Sequence, residues 1–331
     1  MVRAVGLISG GTDSTIATKI MLDMGIEVFG LNFVTPFCTC TKNGCKHETS
    51  KLAEGLGIKI KIINGGREYI QIVKNPKHGY GKNMNPCIDC RIFMFKKAKE
   101  FMEKIGASFI FTGEVLGQRP MSQRLDTMKL IEREADLEGV VLRPLSAKHL
   151  EPTIPERNGA VDRNKLLSIR GRSRKIQKEL ANKLKVEYKC AAGGCKLTDP
   201  QFARRIKEAF EHDEDSFNDI TLLKYGRHFR LHNSAKVVVG RNEKENFVIQ
   251  NFARDNDLLF EVIGYGSPIT LLRNSKHEDD IKTAASICAR YSDGKNAEKV
   301  NVKIMAKKSE KVRNIQVKPM DDGDVKLLMV R

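Results

Sequence analysis

Eight cysteines, at positions 38, 40, 45, 87, 90, 190, 195 and 288, give this chain its widest range of chemistry. Two of them form the C-x-x-C of Asn85-Pro86-Cys87-Ile88-Asp89-Cys90. A helix is predicted over 91–105, so both thiols are expected in a loop capped by a positive helix end. Such a position lowers a thiol pKa and makes a thiolate available for attack or metal ligation. By itself a C-x-x-C fits a zinc half-site, a redox pair, iron–sulfur ligands or chance. Further on, Cys190-Ala-Ala-Gly-Gly-Cys195 sets a glycine pair before Cys195, which suits a tight loop that can approach another site. The alternative is that Cys195 is buried and inert, and Cys190 is the weaker choice for the same role. Cys38, Cys40, Cys45 and His47 crowd four potential ligands into ten residues. A small structural zinc, a second sulfur-handling loop or a simple reactive loop would all account for them. Cys288 falls on an amphipathic helix and is expected in the core.

A second feature, Ser9-Gly10-Gly11-Thr12-Asp13-Ser14, follows the apolar run of residues 3–8 and precedes a helical pattern from Ser14 to Met24. Glycines let backbone N–H groups turn toward an anion, hydroxyls add donors, and the helix start is electropositive. An ordinary strand–helix turn capped by Asp13 or Ser14 would look similar. It is not a Walker loop, because no G-x-x-x-x-G-K-[ST] occurs in the chain.

These residues have to be positioned by regular elements. Strands are predicted at 3–8, 26–34, 58–63 and 109–111, alternating with helices near 14–24, 46–56 and 91–105. That alternation predicts right-handed βαβ units and a parallel sheet, with the site where the strands finish. After about residue 145 the composition changes, and residues 156–190 hold 11 Lys/Arg against 4 Asp/Glu. This stretch is expected to be a basic helical connector, with Cys190 and Cys195 in its continuation to 210. Glu211–Asp219 is acidic and predicted to be a linker. Strands at 229–231, 236–239, 258–263 and 269–272, a helix at 279–292 and a strand pair at 300–305 and 313–317 predict an α+β domain. The expected organisation is 1–155, 156–210 and 211–331.

The chain has 331 residues, 40% of them apolar and 30% charged, enough for two cores and too periodic for disorder. Its 58 Lys and Arg exceed 41 Asp and Glu, a formal +17. That surplus favours a polyanionic partner, nucleic acid being the commonest, over a merely solvating surface, which needs both signs. Arg170, Arg172, Arg174 and Lys175 are the candidate contacts to nucleic-acid phosphates. No apolar run approaches the roughly 20 residues needed to cross a bilayer, and the start lacks a signal-peptide pattern. A cytoplasmic protein without membrane contact is therefore expected, and its cysteines are not expected to form structural disulfides.

The string S-G-G-x-D-S on the first strand resembles the PP-loop ATP pyrophosphatase superfamily. The resemblance implies an enzyme that cleaves ATP between its α- and β-phosphates and adenylates a carbonyl-type oxygen. Ser9, Gly10, Gly11, Thr12, Asp13 and Ser14 would hold the leaving pyrophosphate with Mg2+, Asp13 helping to position the metal. Thr112-Gly113-Glu114 looks like the second phosphate-side segment, and the backbone after the second strand, at Asn32 and Phe33, would meet the adenine.

Asn85-Pro86-x-x-x-Cys90 is similar to the segment bearing the first catalytic cysteine of tRNA 2-thiouridine synthases, which puts that role on Cys90. Cys87, Cys90 and Cys195 also resemble the ligand set of iron–sulfur-dependent tRNA thiolases, so a [4Fe-4S] cluster and a persulfide relay are both implied. The blocks Gly113–Arg124, Leu142–Ala147 and Gly194–Asp199 read like PP-loop proteins similar to tRNA thiouridine synthases that carry an appended NFACT-type RNA-binding domain. Gly226–Arg230, Val239–Asn246 and Asp257–Phe260 look like that domain, although Phe260 and Glu261 stand where the module usually has Trp and His. Arg227, Arg230 and Arg241 are its phosphate-contact candidates, with surface salt bridges as the other reading. The implied activity is ATP-dependent tRNA thiolation, with sulfide or a persulfide carrier as sulfur donor. The rival readings are a small-molecule ligase or sulfur transferase, and an RNA- or ribosome-binding factor with a regulatory ATP site.

Overall fold

The computed structural model describes residues 2–38, 44–184, 194–307 and 312–330, with backbone alone at 44–49. It divides into two compact units, Met1–Asp199 and Pro200–Arg331.

In the first unit, β1 (Arg3–Leu7), α1 (Thr12–Asp23), β2 (Glu27–Val34), α2 (Gly44–Leu56), β3 (Lys59–Asn64), α3 (Gly66–Lys74), α4 (Cys87–Ile105), β4 (Phe109–Thr112), α5 (Leu125–Glu134) and β5 (Val141–Leu142) build the α/β core. The strands pair in parallel in the order β3-β2-β1-β4-β5. Because successive strand residues face opposite sides, Ala4 packs with Ala17 and Met21 on one face, while Val5 packs with Ile92 and Phe95 on the other. Helices therefore cover both faces, and the loops at the strands' C-terminal ends stay open. That edge carries the glycine loop after β1 and the turn after β4, as the sequence predicts.

Three details correct the sequence reading. Helix α4 begins at Cys87 rather than Arg91, so Cys87 and Cys90 occupy its first turn instead of a preceding loop. Pro86 sets the entry, the Cys90 N–H reaches the Pro86 carbonyl at 2.8 Å, and Gly106 at φ +63° ends the helix. Asn32 and Phe33 lie within β2, not after it. Over its described residues the basic stretch is neither a separate connector nor mainly helical. Short α6 (Ile154–Arg157) and α7 (Lys175–Lys183) bracket loops, and residues 156–184 and 194–199 belong to the first unit.

The second unit holds α8 (Pro200–Glu211), α9 (Phe217–Leu222), β6 (Arg227–Arg230), β7 (Lys236–Val239), α10 (Glu243–Phe252), β8 (Leu258–Val262), β9 (Thr270–Arg273), α11 (Glu278–Arg290), β10 (Val300–Ala306), β11 (Val312–Val317) and α12 (Asp322–Leu328). Its antiparallel sheet runs β11-β10-β8-β9-β7-β6. One face packs on α11 through Ile281, Ala284, Ala285 and the fully buried Cys288, and the other meets Leu222 and Ile249. The acidic stretch 211–219 is not a linker. Glu214 and Asp219 are buried partners of Lys236 and Arg273, so that stretch is part of the unit's interior. Among the described residues no helix is long and apolar enough to cross a membrane.

Candidate active site

The chain leaves β1 at Leu7 and turns through Gly10, whose φ of +76° favours glycine, before α1 starts at Thr12. The turn packs directly against the end of β4. A Cβ on Gly113 would stand 2.4 Å from the Ser14 nitrogen, so only glycine lets the two segments touch. Between them lies a cavity of about 70 Å³ lined by Ser9, Gly11, Thr12, Asp13, Ser14, Thr112 and Gly113, with Arg91, Arg119 and Arg174 around it. Asp13 Oδ2 accepts from Gln118 Nε2 at 2.7 Å, and Gln118 Oε1 in turn accepts from the buried Gln177 of α7 at 2.9 Å. Asp13 Oδ1 is buried with no hydrogen-bond partner, as is Gln123 Oε1 on the same wall. A buried, unpartnered carboxylate oxygen fits a Mg2+ ligand.

A second cavity, of about 230 Å³, opens beside the first. Cys38, Cys87, Cys90 and Cys195 line it, together with Asn32, Phe33 and Tyr69. Distant segments converge here through backbone pairing. Cys38 and Cys195 form an antiparallel bridge, with the Lys196 N–H on the Phe37 carbonyl at 2.8 Å. The Met84 N–H meets the Leu197 carbonyl at 3.1 Å, and Asn83 Nδ2 donates to the Thr198 carbonyl at 2.7 Å. Thus the loop before α4 and the loop after β2 both hold Cys195 at the cavity.

The thiols differ in their donors. Tyr69 Oη donates to Cys90 Sγ at 3.0 Å, and Asn85 Nδ2 to Cys87 Sγ at 2.9 Å. Burial, then the neighbouring Cys90 charge, holds the Tyr69 hydroxyl well above its ordinary pKa, so it stays a donor. Burial also raises Cys87 and Cys90, against opposing pulls from Arg119 and Arg91 on Cys87 and from Tyr69 and Arg91 on Cys90. Cys195 is pushed up to about 12 by burial. Burial thus works against the acidity expected of a helix-capped loop. The set is soft and fits thiolate-ligated iron. Among the described residues, no three His, Cys, Asp or Glu side chains are grouped to hold a single metal ion.

Arg91 and Glu114 tie the two cavities to the fold. Arg91 Nε stands 3.2 Å from Glu114 Oε1, while the buried Arg143 reaches Glu114 Oε2 at 3.1 Å and also pairs with Glu132. Burial pushes Glu114 up, but the Arg91 and Arg143 charges outweigh it and keep the carboxyl below its ordinary range.

Other candidates fall elsewhere. Arg170, Arg172 and Lys175 are exposed, and Arg174 reaches the phosphate-loop cavity. In the second unit Arg230 is engaged by Glu208 and Glu214, which removes it as a phosphate contact. Arg241 pairs with Glu245, and the Arg227 guanidinium lies 4.6 Å from the Tyr291 ring centroid. Cys40 and Cys190 fall outside the described residues, as do the side chains of Cys45 and His47. Sequence reasoning missed Arg91, Arg119 and Tyr69, and it set Cys38 aside. The one available signal was local, since Arg91 directly follows Cys90.

Comparison with known proteins places this geometry. Residues 2–154 match the family described as thiamine biosynthesis protein (ThiI), and residues 226–329 match the NFACT protein RNA binding domain. The tRNA-specific 2-thiouridylase MnmA of Listeria monocytogenes is 22% identical over 320 residues, covering 89% of this chain and 83% of the relative. The enzyme of the same name from Coxiella burnetii is 32% identical over 123 residues, or 34% of this chain and 33% of the relative. Among solved structures, the U34-tRNA thiolase NcsA from Methanococcus maripaludis with its [4Fe-4S] cluster matches at 14% identity and a TM-score of 0.34, over 67% of this chain and 69% of that one. Residues 2–154 are thus a PP-loop domain of the ThiI type, similar to those of tRNA thiouridine synthases, and residues 226–329 are an NFACT-type RNA-binding domain.

Proposed function

We propose that the chain uses ATP to replace a uridine carbonyl oxygen in tRNA by sulfur. The observation that carries this reading is that Leu7, Ser9, Arg91 and Arg119 line both the phosphate-loop cavity and the thiol cavity. An anion site and a sulfur-handling wall therefore share a boundary, as adenylation followed by sulfur entry requires. The match to the ThiI family and the likeness to 2-thiouridylases support the same reading.

Residues 9–14 take the β- and γ-phosphates at the α1 start, and Asp13 Oδ1 offers a ligand to Mg2+. The uridine carbonyl oxygen bonds to the α-phosphorus, pyrophosphate leaves with the electron pair of the broken bond, and the ring N–H proton goes to solvent. Hydrosulfide then adds to the activated carbon. AMP departs with the former carbonyl oxygen, and the hydrosulfide proton ends on the ring nitrogen. Cys87, Cys90 and Cys195 would hold a [4Fe-4S] cluster, which supplies an open iron for sulfide when bound. Where a persulfide carrier is the donor, Cys90 is the accepting thiol. Exposed Arg170, Arg172 and Lys175 track tRNA phosphates, with Arg227 and Arg241 as candidates on the second unit.

The test is an anaerobic reaction of the full chain with unmodified tRNA, ATP, Mg2+ and sulfide, read by nucleoside mass spectrometry. A thiouridine is expected that requires ATP and disappears in Cys90→Ser. No thionucleoside from wild-type protein that still binds tRNA would overturn the reading in favour of a small-molecule substrate or an RNA-binding factor.

A further inference from the structure

Arg91 and Arg119 are the two cations that line both cavities, and Arg174 joins them at the phosphate-loop cavity. Their surroundings are unequal. Arg91 has a buried carboxylate partner in Glu114, which is also committed to Arg143. Arg119 and Arg174 take part in no ion pair among the described residues. Desolvation of its charged end comes first in pulling Arg119 below an ordinary guanidinium, followed by the Arg91 charge, with Arg174 adding to it. Three guanidinium groups around one small cavity, against Glu114, already committed to Arg143, and Asp13, are an arrangement with positive charge in excess. An anion with several oxygens completes it, and a guanidinium fork matches a phosphate in two parallel hydrogen bonds.

Which phosphate follows from position. Gly11, Thr12, Asp13 and Ser14 line the phosphate-loop cavity alone, whereas Arg119, with Leu7, Ser9 and Arg91, lines the thiol cavity as well, where its charge also acts on Cys87. In the adenylation reading only the α-phosphorus bonds to the base, so only the α-phosphate has to reach the sulfur wall.

We propose that Arg119, with Arg91 beside it, binds the α-phosphate of ATP and keeps hold of it through adenylation and the departure of AMP. Arg119 is then a catalytic residue of this chain, and Arg91, fixed by Glu114, sets the angle of the cation pair. The proposal rests on the ATP-dependent reading above and adds the residue that joins its two halves. Arg119 is exposed as a residue, so its replacement leaves the fold intact.

The experiment compares wild type, Arg119→Gln and Arg119→Lys by equilibrium binding of ATP, AMP and pyrophosphate in Mg2+, with the thermal midpoint as a fold control. Loss of a charge-assisted hydrogen bond predicts about tenfold to a hundredfold weaker binding of ATP and AMP in Arg119→Gln. Pyrophosphate binding should stay within about twofold of wild type, and Arg119→Lys should recover part of the AMP affinity because it keeps the charge. Unchanged AMP affinity in Arg119→Gln, or a loss confined to pyrophosphate, overturns the assignment while leaving the ATP reading standing. A wild-type chain that binds none of the three ligands overturns the ATP reading itself, and the assignment with it.

Discussion

Arg273 in the second unit and Arg119 in the first carry the same guanidinium in opposite settings. Arg273 is 1% exposed and mated on every side, with Asp219 at 2.7 Å, Asp257 at 2.7 Å and the Phe252 carbonyl at 2.9 Å. Lys236 on Glu214, and Arg230 on Glu208 and Glu214, repeat the pattern nearby. Arg119 and Arg174 instead border a cavity beside a glycine loop and find no carboxylate partner among the described residues. Burying a charge costs several kcal/mol unless partners and hydrogen bonds offset it. A fully buried cation mated within its own unit therefore serves the fold, whereas one left unmated at a cavity mouth is completed by something that comes and goes. The formal +17 is a property of the whole chain, but its chemical meaning lies in which cations lack a partner.

The largest effect that would break this contrast concerns Arg273. Arg273→Ala leaves Asp219 and Asp257 buried without their shared cation, although Arg254 still reaches Asp219 at 2.6 Å. The expected loss is about 3–5 kcal/mol, read as faster hydrogen exchange of β7, β8 and β9 amides in the full chain. A change below about 1 kcal/mol would mean that the mated charges do not hold this unit.

Acidity sharpens the same point with a smaller effect. Burial pushes Glu214 and Asp219 up, but hydrogen bonds and charges from Arg230 and Lys236, and from Ser216, Arg254 and Arg273, outweigh it and hold both carboxyls below their ordinary range. A carboxyl depressed in the folded state stabilises it above its unfolded pKa of about 4, and that contribution is lost as pH falls through the lower folded value. Stability of the second unit should therefore fall steeply below about pH 4, and less steeply in Glu214→Gln. Equal slopes for the two proteins in acid denaturation would remove Glu214 from the account.

The contrast also explains what the sequence could and could not show. Phe109–Thr112 was legible as a short apolar run, buried throughout, and Glu278–Arg290 because a local period of 3.6 records which face is buried. Leu125–Glu134 was missed although Leu125, Met128 and Ile131 recur at helical spacing, and Val141–Leu142 because two residues carry no period. The glycine loop and the C-x-x-C are short enough to read directly. Cys38 beside Cys195 is a pairing between distant segments, and no local spacing contains it. The same limit turned Glu211–Asp219 into a linker and Arg230 into an RNA contact. Whether a charge has a mate depends on a segment folded against it, and composition counts charges without pairing them.

Arg174 offers the finest test, because it was read as an RNA contact and the structure brings it to the phosphate-loop cavity. With no ion pair among the described residues to lose, Arg174→Ala should change stability by no more than about 0.5 kcal/mol. If its charge serves tRNA, affinity falls for every tRNA sequence, and the slope of log affinity against log salt becomes shallower by about 1. Should it serve the nucleotide instead, ATP affinity falls and the salt slope for tRNA is unchanged. A clear loss of stability would be the damaging result, since it would show Arg174 to be mated after all and would erase the distinction between the two units.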